Sequence, residues 1–139
     1  MLSVQDNENM SRVGAGTPAG NLLRRYWHPV APATAVNDES PILKVRLLGE
    51  DLVLFQMKLL EGETDLRYGL VGESCPHRLV SLSFGRADAH GIRCPYHGWK
   101  FDPTGQCIEQ PAEPKESTYK DRIKHTAYPV QKLGGLLFA

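Results

Sequence analysis

From about residue 30 the apolar positions recur every second residue, the period of a half-buried strand. Ile42-Leu43-Lys44-Val45-Arg46-Leu47 puts Leu43, Val45 and Leu47 on one face and Lys44 and Arg46 on the other. Gly49-Glu50-Asp51 reads as a turn, Leu52-Val53-Leu54-Phe55 as the returning strand, and Leu66, Tyr68 and Leu70 as a third. Asp88 to Gly91 turns the chain into Ile92-Arg93-Cys94. Trp99-Lys100-Phe101, an Asp102–Gly105 turn and Cys107-Ile108 then read as a hairpin. Residues 109–118, rich in Pro and Glu, read as surface loop. Arg122–Tyr128 and Leu136–Ala139 read as strands around the Gly134-Gly135 turn. Before residue 30 the period is helical: Thr17 is placed to cap a helix with Pro18 at its first position, and Pro29 to end it. Leu22, Leu23, Tyr26 and Trp27, at i, i+3 and i+4 spacing, form the stripe that would pack on the domain. Residues 1 to about 15 are polar and read as a mobile arm. The pattern predicts an all-β, mainly antiparallel fold: an N-terminal arm and helix over 1–29, then one domain over 30–139.

Composition narrows the class. At 139 residues the chain fits one domain with a sizeable core. Lys plus Arg equal Asp plus Glu at 16 each, so no basic footprint points to nucleic acid. No stretch approaches the roughly 20 apolar residues of a membrane helix. The polar N-terminus lacks a signal-peptide core, and Arg24-Arg25 is followed by Tyr26-Trp27-His28-Pro29, not an apolar run. Three cysteines, two of them in metal-binding motifs, suit a reducing cytoplasm.

The chemistry lies between Cys75 and Trp99. Cys75-Pro-His77 and Cys94-Pro-Tyr-His97 each offer one sulfur and one imidazole. A [2Fe–2S] cluster held by thiolates alone needs four cysteines; a Rieske centre replaces two of them with histidines on one iron. Two alternatives compete with this reading. Two Cys and two His also make a structural zinc set, although zinc modules pair them as C-x₂₋₄-C and H-x₃₋₅-H, which is not the arrangement here. A chance pairing of a buried Cys with a loop His is the ordinary reading of a lone C-x-H, but not of two motifs with Pro after each Cys and Gly98-Trp99 after the second.

Cys-Pro-His-Arg followed by Cys-Pro-Tyr-His-Gly-Trp-Lys-Phe resembles the Rieske domain of ring-hydroxylating, Rieske non-haem iron oxygenase α subunits. The segment GTPAGNLLRRYWHPV resembles the phthalate 4,5-dioxygenase-like group and is not usual in small Rieske ferredoxins. The resemblance implies a small Rieske-type β-sandwich or barrel with a two-loop cluster-binding subdomain. It implies that Cys75 and Cys94 bind the inner iron and His77 and His97 the outer one, with Arg78, Tyr96, Gly98 and Trp99 around them. High-potential relatives carry a disulfide at the positions of Val80 and Tyr96, and cluster-bonding Ser and Tyr hydroxyls at those of Trp99 and Phe101. Without those donors the extra electron is disfavoured, so the midpoint should lie near the low end of the Rieske range, about −150 mV. The ligating imidazoles should couple electron to proton uptake at alkaline pH.

Trp99 is expected to pack over the loops, Cys107 to be a small buried hydrophobe, and His28, His90 and His125 to be structural or surface groups. Arg78, Arg86, Arg93 and Lys100 either steer an acidic reductase or form a solvated surface. The resemblance further implies oxidoreductase function in aromatic catabolism. An NAD(P)H-dependent flavin and [2Fe–2S] reductase would supply single electrons for a mononuclear Fe(II) site in a catalytic domain absent from this chain, neighbouring α subunits taking part. The chain alone is expected to carry electrons without oxygenating. The alternative is a stand-alone Rieske ferredoxin.

Overall fold

The computed structural model describes residues 1–139. The N-terminal stretch read as a mobile arm holds a helix, α1 (Val4–Ser11), capped by Ser3, whose hydroxyl accepts from the Asp6 amide. No residue of α1 is buried, so no apolar period announces it; its support is polar, including an Arg12–Glu8 ion pair. The second helix, α2 (Pro18–Leu23), starts as expected, with Thr17 accepting from the Gly20 amide and Pro18 at N1. It stops well before Pro29, and its expected apolar stripe fails: Leu22, Tyr26 and Trp27 are 55, 63 and 49% exposed. What ties this segment down is Arg24. Its guanidinium donates to the carbonyls of Val13 and Leu48 and to Glu50, and the other Glu50 oxygen accepts from Tyr128 Oη at 2.6 Å.

After β1 (Pro29–Pro32), β2 (Ile42–Leu47) and β3 (Glu50–Gln56) form a hairpin in register from Ile42↔Phe55 to Leu47↔Glu50. The turn is Leu48-Gly49, with φ of +47° and +83°, the sign pattern of a tight type I′ hairpin. Glu50 and Asp51, expected in the turn, therefore belong to the strand. The third strand is β4 (Tyr68–Gly72); Leu66 lies outside it and is exposed. Four two- or three-residue strands follow: β5 (Arg86–Ala87), β6 (Ile92–Arg93), β7 (Lys100–Phe101) and β8 (Cys107–Glu109). The strand expected over 122–128 is mostly otherwise built. Tyr119–Arg122 is a short 3₁₀ helix, Lys124 makes a single bridge to Gln106, and only β9 (Ala127–Tyr128) forms a strand, ending at Pro129. The Gly134-Gly135 turn joins β10 (Gln131–Leu133) to β11 (Leu136–Phe138).

Three antiparallel sheets result, ordered β1-β11-β10, β2-β3-β4-β9 and β5-β6-β7-β8. β3 is their common wall. Alternation along it sends Val53 and Phe55 into a core with Leu82, Ile92, Phe101, Cys75 and Cys94, and Leu52 and Leu54 into a second with Ala31, Val36, Leu70 and Leu137. This double burial is why residues 52–55 read as an unbroken apolar run. The first core reaches the loops after β4 and β6, and so positions the two Cys/His motifs.

Candidate metal centre

The two loops, 75–81 and 94–99, are built alike. The Cys75 amide donates to the Val80 carbonyl (2.9 Å) and the Cys94 amide to the Trp99 carbonyl (2.8 Å), each five residues on. Each Cys carbonyl accepts from the amide four residues on, Leu79 at 2.8 Å and Gly98 at 3.2 Å. That fourth residue is left-handed in both loops, φ +59° at Leu79 and +71° at Gly98. Glycine adopts this freely; a leucine does so against its Cβ.

The knuckles bury their cysteines and turn their histidines outward. Cys75 and Cys94 are 1 and 4% exposed, while His77 is half-buried and His97 exposed. The sulfurs are neighbours. Burial pushes the Cys75 thiol up to about 11; the His77 and Arg78 amides oppose this, and the Cys94 side chain adds to it. Above them the His77 and His97 rings lie 4.6 Å apart, tilted by 59°. Burial, then His97 and Arg78, lower the His77 pKa, which favours the neutral ring that a metal binds. Thiols pair with thiols and imidazoles with imidazoles, and three or more His, Cys, Asp or Glu side chains do not gather into a single-ion cage. A buried thiol this hard to ionise needs a cation beside it to bind as thiolate, and two irons with unlike ligand pairs fit this donor set.

The flanking residues divide. Trp99, buried, stacks flat on His77 across the loops, centroids 4.4 Å apart and planes within 2°, with Tyr119 edge-on behind it. Tyr96, exposed, leans on His97 at 3.8 Å. Gly98 supplies the second loop's left-handed turn, and Arg78 is solvent-exposed. Phe101 is fully buried and packs near His125, so neither it nor Trp99 brings a hydroxyl to the site. Cys107 is buried, and burial raises its thiol. His28 and His125 bond the carbonyls of Leu23 and Gly72, and His90 lies exposed on a turn, so all three are structural or surface groups.

Two of the cations expected to steer a partner face inward. Lys100 is 3% exposed and bonds Asp88 and Glu109; Arg93 bonds Glu109 and the Gly98 carbonyl. The sequence carried a faint signal for this group: Lys100 sits between Trp99 and Phe101, and the hairpin register sets it opposite Glu109. A second carboxylate, Glu73, braces the first loop by accepting from Ser81 (2.8 Å) and Lys44 (2.8 Å).

Paired knuckles of this kind on a small antiparallel scaffold define a cluster-binding domain. A family profile described as the Rieske [2Fe–2S] domain matches residues 26–131, and the chain belongs to that family. Its relatives place it among the Rieske domains of oxygenase subunits. It is 49% identical to the 5,5'-dehydrodivanillate O-demethylase oxygenase subunit of Sphingobium, over 100% of this chain and 32% of that protein. It is 42% identical to the phthalate 4,5-dioxygenase oxygenase subunit of Pseudomonas putida, over 100% of this chain and 30% of that protein. Among solved structures it resembles the NdmA methylxanthine N1-demethylase of Pseudomonas putida with caffeine, at TM-score 0.70 and 33% identity, covering 85% of this chain and 33% of that one. The chain thus spans about a third of the length of these relatives. No helix is long and apolar enough to cross a membrane.

Proposed function

We propose that this chain is the electron-transfer domain of an aromatic ring-hydroxylating oxygenase, with Cys75 and Cys94 binding one iron of a [2Fe–2S] cluster and His77 and His97 the other. The observation that carries this is the layered donor set: two adjacent buried thiols beneath two adjacent, outward imidazoles. Bound there, the cluster would supply a store for one electron at a time. The chain's own residues do the rest. The two Cys knuckles keep water from the sulfur side, Trp99 holds the His77 ring flat, and the imidazole edge stays open to other proteins. Leu79 and Tyr96, 73 and 62% exposed on the two loops that carry the histidines, give a donor apolar surface on which to dock.

The donor we assign is an NAD(P)H-dependent flavin reductase with its own [2Fe–2S] centre. The acceptor is a mononuclear iron site outside this chain, reached in a neighbouring subunit. With two of its three cysteines committed to metal, the compartment we assign is the cytoplasm.

Iron and sulfide analysis, EPR and a redox titration test the reading. Brown protein with two irons and two sulfides per chain, a Rieske-type EPR signal on reduction and a midpoint near the low end of the Rieske range, about −150 mV, are expected. Colourless protein containing zinc alone, or a midpoint above about +100 mV, overturns it. Cys94→Ser is expected to abolish the signal.

A further inference from the structure

The second loop rests on a charged layer. β6, β7 and β8 set Arg93 opposite Lys100 and Lys100 opposite Glu109, while their alternate residues Ile92, Phe101 and Cys107 enter the apolar core. Two cations facing each other across strands destabilise a sheet unless anions intervene. Here Lys100 Nζ lies 2.9 Å from both Asp88 Oδ2 and Glu109 Oε1. The second oxygen of Glu109 takes Arg93 Nη2. Arg93 Nη1 then donates at 2.9 Å to the carbonyl oxygen of Gly98, the residue directly after His97. One planar guanidinium thus joins the edge strand to the loop. Pro111 also closes in on Gly98: a Cβ there would lie 3.1 Å from its Cγ and 3.8 Å from Arg93 Nη1.

Of these groups only Lys100 is buried, and burying a charge has a desolvation cost, so the network is weak evidence of a stabilising purpose. What it does fix is a position. We infer that Arg93, oriented by Glu109, is a positioning residue: it pins the Gly98 carbonyl and thereby sets the direction in which the second loop presents His97. This rests on the reading of His97 as an iron ligand.

The test compares the cluster-loaded 139-residue chain with Arg93→Lys, Glu109→Gln and, as a control on an exposed ion pair, Arg46→Lys. Arg93→Lys keeps the charge but replaces the two fixed Nη donors, one on Gly98 and one on Glu109, with a single nitrogen on a flexible stem. It is expected to shift the EPR g-anisotropy of the reduced protein and to speed chelator-driven iron release about tenfold, the scale on which groups supporting metal ligands act. Glu109→Gln, nearly isosteric, should change both readouts in the same direction, and it carries the test if Arg93→Lys fails to fold. Arg46→Lys should match the parent. A parent with a Rieske signal and variants with its g values and release rate overturns the inference alone, even if their thermal stability falls. A parent with no Rieske signal overturns the site reading and this inference with it.

Discussion

Phe55 and Gly69 face each other across β3 and β4, and the pair fixes how the sheet meets the core beneath the loops. A Cβ built on Gly69 would lie 2.2 Å from Phe55 Cζ and 2.6 Å from Cε1. The ring is fully buried and cannot swing aside. Gly69→Ala is therefore expected to cost about 1–3 kcal/mol by overpacking, measured by denaturant unfolding. Adding Phe55→Leu should recover part of that loss, a coupling that a double-mutant cycle detects. Equal losses with and without the ring would show that the glycine serves only its backbone. At this scale the sequence is legible where chemistry is local: Cys75, His77, Cys94 and His97 stand out because ligand motifs are short and contiguous. Leu79 gives no such sign, because its left-handed turn is imposed by hydrogen bonds closing the loop, not by the residue itself.

Among the elements, the N-terminal segment is held by ionisable groups, and this makes its attachment depend on pH. Burial pushes the Glu50 carboxyl up, but hydrogen bonds from Tyr128 and Arg24 and the Arg24 charge outweigh it, leaving it below its ordinary 4.5. A carboxyl depressed on folding contributes its stability in full above the unfolded value and loses it as pH falls through the folded one. Acidification below about pH 4.5 is thus expected to release residues 1–28 ahead of the sheets, seen as local loss of amide protection. Glu50→Gln should weaken protection of that segment at neutral pH and remove its acid dependence; unchanged acid dependence in the variant would place the anchor elsewhere. The role of Arg24 also explains why the expected apolar stripe is absent. Spacing places Leu22, Tyr26 and Trp27 on one helical face, but the helix ends at Leu23 once Arg24 turns back to Glu50, and the stripe never forms. The β2–β3 hairpin was readable because one alternating period fixes both strands. The short β5–β8 strands were partly readable from their turns, and the 119–128 stretch was not, since its pairing depends on distant partners such as Gln106.

The molecule as a whole has two cores that share β3, and only one of them contains Cys75 and Cys94, the proposed iron ligands. Iron should therefore stabilise the halves unequally. Cys75, Cys94 and Trp99 close the first core, so a cluster there would join two loops that otherwise meet through packing, Trp99 on His77 included. The second core, built on Leu52, Leu54, Leu70 and Leu137, includes none of the four proposed ligands. A group present at about a thousand times its dissociation constant adds about 4 kcal/mol to whatever it binds, and that increment is withdrawn when it leaves. Chelation of iron should lower the unfolding temperature. Amide protection should fall over residues 73–101, while strands lining the second core, at Ala31, Leu54, Leu70 and Leu137, keep theirs. Hydrogen exchange before and after chelation measures this directly. Even loss across both cores would mean that β3 couples them into one cooperative unit. Selective loss would mean that the sheet persists as a preformed scaffold on which the two loops reorganise when metal returns.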